Sequence, residues 1–94
     1  MAVLPDAEIE QRLTDIGGWR RGEGPSIVRE LKFSDFAEAI AFVNSVAELA
    51  EAANHHPDIL VHGYNMVRLE LSTHSEGGLT GADFRLAAQI DRVG

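Results

Sequence analysis

Glu51, His55, His56, Tyr64, His74 and Asp83 are the residues of this chain whose types and spacing could carry chemistry. Histidine is the side chain whose ordinary pKa lies near neutrality, so it both gives and takes protons at cellular pH. Two adjacent histidines with a third a strand's length away point to proton transfer or to a metal ion. Glu51 and His55 are four residues apart at a predicted helix end, hence on one face. A carboxylate there can accept a hydrogen bond from an imidazole and fix its tautomer. The alternative is a solvated glutamate and a histidine that complements the helix dipole.

In His55-His56-Pro57 the proline ends the helix and biases His56 toward extended backbone. Successive side chains in extended backbone diverge, so the pair is a poor chelate for one metal; two surface histidines in a loop is the other reading. His74 follows the clearest strand, at a position where loops carry function, or is an ordinary strand-end residue. Asp83 stands three residues after Thr80 and reads first as the partner of a helix cap. Trp19 and Tyr64 read as core aromatics with a wet polar tip, and His62 as exposed. A zinc site needs three or four ligands. His55 and His74 with Glu51 or Asp83 could supply them, but there is no H-x-H or H-x-x-x-H pair, which makes metal the weaker reading.

These side chains need elements to position them. Residues 6–16 read as a helix capped by Asp6, with Ile9, Leu13 and Ile16 on one face and Gly17-Gly18 at its end. A short strand follows over 19–22, then a turn at Glu23-Gly24-Pro25. A second strand, 26–33, places Ile27, Leu31 and Phe33 on one face, interrupted by Arg29. Ser34 is the expected cap of the longest helix, 35–53, whose stripe includes Phe36, Ile40, Val43 and Ala47. Asn54 and Pro57 stop it. Strands are expected at 58–61 and 64–73, with a bend at His62-Gly63. A last helix over 81–91 begins at Thr80 with Leu79 and Phe84 as a staple. The fold class is α+β: a two-layer α-β-β-α-β-β-α domain, its four-stranded, mostly antiparallel sheet carrying three helices on one face.

Ninety-four residues make one small domain spanning 1–94, and a core of that size is commonly supplemented by oligomerisation. With no cysteine, thiol nucleophiles and thiolate metal sites are excluded. The formal charge of −7, with only Arg20-Arg21 adjacent among the basic residues, argues against direct nucleic-acid binding. No apolar run approaches a membrane span, and the N-terminus has no signal-peptide pattern. A cytoplasmic location is the expectation.

The spacing Glu51-x3-His55-His56-Pro57-x6-Tyr64-x9-His74-x8-Asp83 resembles the signature of the pterin-4a-carbinolamine dehydratases. Gly18-Trp19, Phe33-Ser34-Asp35-Phe36, Ser72-Thr73-His74 and Gly78-Leu79-Thr80 are similar to that family as well, so the resemblance runs over about residues 4–91. It implies an α-β-β-α-β-β-α fold and a hydro-lyase that dehydrates 4a-hydroxytetrahydropterin to quinonoid dihydropterin in tetrahydrobiopterin recycling. It implies no metal or organic cofactor, pterin being the substrate, and a homodimer or homotetramer. It assigns proton transfer to His55 and His74, pterin binding and orientation to His56, tuning of the imidazoles to Glu51, support of the site to Asp83 and the pocket edge to Trp19. Two positions depart from the animal members: Ala82 stands where they carry arginine and Glu76 where they carry cysteine. Members of the family also serve as oligomeric partners of a transcription factor, so an interaction module is the alternative to an enzyme, and a metal-binding protein the third.

Overall fold

The computed structural model describes residues 2–93. Helix α1 spans Asp6–Asp15, strand β1 Arg20–Arg21, β2 Ile27–Lys32, helix α2 Phe36–Ala53, β3 Asp58–His62, β4 Met66–Leu71 and helix α3 Gly81–Val93. A single 3₁₀ turn, His74–Glu76, lies between β4 and α3. The strands form one open sheet in the order β1-β2-β4-β3, and every pairing is antiparallel. Ile27, Arg29 and Leu31 of β2 stand opposite Leu71, Leu69 and Val67 of β4, which puts the apolar positions of both strands on one face. That face and Ile9 of α1, Phe42 and Val46 of α2, and Phe84, Leu86 and Ile90 of α3 form one buried cluster. The three helices therefore cover one side of the sheet, as the alternation in β2 and β4 predicts.

Arg29, which interrupts the apolar face of β2, is explained by a partner. Its guanidinium forms an ion pair with Asp91 near the end of α3, and the same carboxylate oxygen accepts the indole N–H of Trp19 at 2.8 Å. A charge on the core face costs little when it is paired and hydrogen-bonded at the rim. Gly18, at φ +86°, turns the chain into β1, and a Cβ there would come within 3.0 Å of Arg29 Nε.

Several boundaries differ from the sequence expectation by a residue or two, for identifiable reasons. Pro5 rather than Asp6 occupies the cap position of α1, and its carbonyl accepts from Glu8 and Ile9 N–H. At α2 the cap is Asp35 rather than Ser34: Asp35 accepts from Glu38 N–H at 2.8 Å, while Glu38 reaches back to the N–H and hydroxyl of Ser34. Two adjacent capping residues satisfy the sequence rule equally, and the reciprocal Glu38 contact decides between them. Those contacts hold the exposed Glu38 carboxyl below its ordinary value, chiefly through the Ser34 hydroxyl. Strand β4 starts later than expected because Gly63 and Tyr64 both adopt positive φ, +54° and +56°. Asn65 then clamps this turn to the end of β2 by accepting from Phe33 N–H at 2.8 Å and donating its side-chain amide to Phe33 O at 3.0 Å. Tyr64 is consequently 64 % exposed on the turn rather than a core aromatic.

The end of α2 sets the backbone of the first histidine. Asn54 takes the left-handed conformation (φ 50°, ψ 43°) and its N–H bonds Glu51 O at 3.2 Å, while His55 N–H bonds Ala50 O at 3.1 Å. This is the paired hydrogen-bond pattern of a Schellman stop. Asn54→Gly is expected to leave stability within ~0.5 kcal/mol, whereas Asn54→Val, whose branched Cβ opposes positive φ, is expected to cost about 1–2 kcal/mol in urea unfolding. Equal stability of the two variants would show that the left-handed turn does not hold this corner.

Candidate active site

The site is built around Asp83, which is fully buried in the first turn of α3. Its Oδ2 accepts the Thr80 backbone N–H at 2.9 Å and the Thr73 hydroxyl at 2.8 Å; its Oδ1 lies 2.6 Å from His55 Nε2. Thr80 Oγ1 is 2.9 Å from Thr73 Oγ1 and accepts Ala82 N–H at 3.2 Å. Because Thr73 donates to the carboxylate, Thr80 must donate to Thr73, so the hydroxyl protons run in one direction toward Asp83. The cap partnership read from Thr80-x-x-Asp83 is present, and the same carboxylate also holds a histidine 28 residues away in sequence.

This contact fixes what His55 can offer. A carboxylate is acceptor-only, so Nε2 carries the hydrogen and Nδ1 keeps its lone pair in the neutral ring. The His55 side chain is 14 % exposed, enough for one ring edge to be reached. His56 is bound through Nε2 to Glu51, and both of these side chains are largely exposed. Glu51 therefore partners His56 rather than His55, correcting the i, i+4 pairing expected from spacing. With His55 leaving the helix through the left-handed Asn54, its ring turns to α3, and Glu51 is left beside the next residue.

His74 begins the 3₁₀ turn after β4. Thr73 N–H bonds Gly78 O at 3.1 Å, Glu76 N–H bonds Thr73 O at 3.0 Å, and Gly77 closes the turn at φ +74°. The exposed His74 ring lies with Nε2 3.3 Å from Ser72 Oγ. Its neighbour Thr73 is the residue that donates to Asp83, so His55 and His74 are tied to one carboxylate, the first directly and the second through the backbone. Trp19 is a core aromatic with a bonded polar tip, as its residue type reads, 6 % exposed with its indole N–H committed to Asp91, rather than the pocket edge that the resemblance implies. Thr73 was not among the expected site residues; the signal was its place beside His74 in Ser72-Thr73-His74.

On the open face of the sheet, Glu70 of β4 accepts the Ser26 hydroxyl at 2.6 Å and Arg68 Nη1 at 3.2 Å. Gly22 makes room for this pair, since a Cβ there would sit 2.2 Å from Ser26 Oγ. The Ser26 hydroxyl chiefly holds the Glu70 carboxyl below its ordinary value; burial, the next largest effect, opposes it, and Arg68 and the charge of His74 add smaller lowering contributions. A depressed carboxyl stabilises the fold above its unfolded value, 4.5, and loses that contribution as pH falls through the folded value. The wild-type advantage over Glu70→Gln in urea unfolding is therefore expected at pH 7 and to shrink below about pH 4.5. A difference constant from pH 7 to 3 would remove this account.

Among the described residues no group of three or more His, Asp or Glu side chains is gathered closely enough to hold a metal ion. Among the described residues, too, no helix is long and apolar enough to cross a membrane. One concavity, about 360 Å³ between Phe33, Phe42 and Val93, is lined by no histidine. A smaller one, about 190 Å³, is lined by Ala53, His55, Ala82, Arg85, Leu86 and Gln89 and so opens onto His55.

The profile of the family described as pterin 4 alpha carbinolamine dehydratase matches residues 2–93. The chain belongs to this family. A dehydratase-family protein of Roseiflexus castenholzii is 56 % identical over 92 residues, covering 98 % of this chain and 97 % of its own. One from Acidobacterium capsulatum is 54 % identical over 93 residues, covering 99 % of each chain. The crystal structure of a transcriptional coactivator/pterin dehydratase from Brucella melitensis superposes with a TM-score of 0.91 at 35 % identity, covering 97 % of both chains. A pterin dehydratase-like protein identified as a RuBisCO assembly factor in the alpha-carboxysome superposes with a TM-score of 0.68 at 28 % identity, covering 81 % of this chain and 88 % of that one.

Proposed function

We propose that this protein dehydrates 4a-hydroxytetrahydropterin to quinonoid dihydropterin and water by histidine acid–base catalysis. The observation that carries the reading is the His55–Asp83 contact, which leaves Nδ1 of His55 as an acceptor beside a turn that presents His74. The reaction removes a proton from N5 and the hydroxyl from C4a. His55 Nδ1 takes the N5 proton, the N5 electron pair forms the new double bond to C4a, and the C4a–O bond breaks. His74 delivers a proton to the leaving hydroxyl, which departs as water. The proton balance closes when His55 loses its proton and His74 regains one from solvent. Asp83 holds the His55 ring in the required tautomer, and Glu51 does the same for His56, which orients the pterin.

No metal or organic cofactor takes part in this scheme. The natural setting it fits is tetrahydrobiopterin recycling in the cytoplasm, by a homodimer or homotetramer. The small core, with Phe36 and Leu60 exposed, favours assembly. Supplying purified protein with 4a-hydroxytetrahydropterin and following its ultraviolet absorbance tests the reading. Decay faster than in buffer is expected, and decay at the buffer rate refutes it.

A second reading, a protein-interaction module, is favoured by the descriptions of the two solved relatives as coactivator and assembly factor. It predicts a heteromeric complex that survives alanine at His55, His56 and His74 together. A complex abolished by those changes would count against it.

A further inference from the structure

We propose that Val3 and Leu4, ahead of α1, are positioning residues for His74 that brace from outside the turn carrying it. This deepens the reading above and rests on it for the part His74 plays as proton donor. The His74 ring is exposed, and its contact with Ser72 Oγ is long at 3.3 Å. Where the ring sits therefore depends on the backbone of the turn. The base of that turn is the pair Thr73 and Gly78, bridged by Thr73 N–H to Gly78 O at 3.1 Å and by Gly78 N–H to Thr73 O at 3.4 Å. On its inner side, Thr73 and Thr80 tie this base to the Asp83 carboxylate.

The outer side is held by the segment that leads into α1. Leu4 N–H donates to Leu79 O at 2.8 Å, one residue beyond Gly78, and the Leu4 side chain packs against the buried cluster that contains Leu79. Leu4 precedes a proline, which biases it toward extended backbone, where an N–H reaches sideways to a neighbouring chain. Pro5 then passes directly into α1, its carbonyl accepting Glu8 and Ile9 N–H, so the segment has a fixed anchor. Val3 lies against Gly78: a Cβ on Gly78 would stand 2.8 Å from Val3 Cγ1 and 3.4 Å from Cγ2. Gly78 is buried and has no positive φ, so its missing side chain serves this close approach and not an unusual backbone conformation. Val3 itself is 48 % exposed and adds little to the core. The consequence of the contact falls on Gly78, and through the bridge on Thr73 and His74.

The test places a methyl group in the contact. In Gly78→Ala the new Cβ displaces Val3, and the hydrogen-bonded amides of Thr73, Glu76 and Gly77, followed by NMR hydrogen exchange, are expected to exchange roughly tenfold faster. For 4a-hydroxytetrahydropterin, kcat falls about tenfold while KM stays within about twofold, because His74 acts on the leaving hydroxyl and not in binding. In a His74→Ala background the same glycine substitution changes kcat by less than about twofold, since the brace acts through the imidazole. Adding Val3→Ala to Gly78→Ala makes room for the methyl and recovers most of the kcat and of the amide protection. Where Gly78→Ala does not fold, Val3→Gly, at a half-exposed position, supplies the exchange comparison. Wild-type exchange at the three amides in the folded variant overturns the proposal and leaves the dehydratase reading intact. An equal loss of kcat with and without His74 overturns it as well, because the segment would then be supporting the whole domain. Absence of turnover by the wild type removes the dehydratase reading, while the exchange rates still decide whether Val3 and Leu4 hold the turn.

Discussion

Replacing His74 with alanine is expected to lower kcat/KM for 4a-hydroxytetrahydropterin dehydration by about 10²–10⁴-fold, the contribution of one positioned acid or base. Stability should move by no more than ~0.5 kcal/mol, because the ring is exposed and its contact with Ser72 is long. The two readouts belong together: absorbance decay for the reaction and urea unfolding for the fold. Full activity in His74→Ala would remove His74 from the mechanism. His55→Ala should differ in kind. It loses a comparable share of activity and also strips a partner from the buried Asp83, so its unfolding midpoint falls as well.

Asp83→Ala is the substitution with the largest expected structural effect. It leaves the buried Thr80 N–H and the Thr73 hydroxyl without their acceptor and frees the His55 ring. Losing a helix cap and orphaning buried donors costs about 2–4 kcal/mol together. At 4–8 °C per kcal/mol for a domain of this size, the melting temperature should fall on the order of 10–20 °C. Asp83→Asn separates the two roles. The amide oxygen can still accept from Thr80 and Thr73, which share one carboxylate oxygen, but the NH₂ group then meets the donor at His55. The asparagine variant is therefore expected to keep more of the stability than Asp83→Ala while losing activity about as severely. Wild-type turnover in Asp83→Asn would show that the tautomer of His55 is not set by this carboxylate.

The elements were legible in the sequence because each is announced locally. Alternation in β2 and β4, the helical run of α2, and Thr80-x-x-Asp83 before α3 each depend on neighbours a few residues away, although the face α2 buries is Ala39, Phe42, Val46 and Ala50 rather than the stripe through Phe36, Ile40, Val43 and Ala47. What the sequence left open depends on docking. Glu51 and His55 satisfy the helical spacing rule, yet the left-handed residue between them and the following strand sends His55 to α3 and leaves Glu51 to His56. Trp19 reads as a core aromatic with a polar tip, but only the closure of α3 over β2 brings Asp91 to its indole and to Arg29. Thr73 has no periodic signal at all; its hydroxyl matters because the turn after β4 returns against the start of α3. The short 3₁₀ turn at His74–Glu76 was hidden for the same reason, since a bridge between Thr73 and Gly78 closes it.

The double duty of Asp83 bears on how descendants of such a chain would drift. A lineage that no longer needed the reaction would still keep Asp83, Thr73 and Thr80, because folding alone would select for them, and His55 would be retained as the donor that fills the third contact to the carboxylate. His74 has no such protection: it is solvated, weakly held and cheap to lose. In a relative repurposed for assembly, its replacement would be the first mark of lost catalysis, whereas an intact Asp83 would testify only to an intact α3.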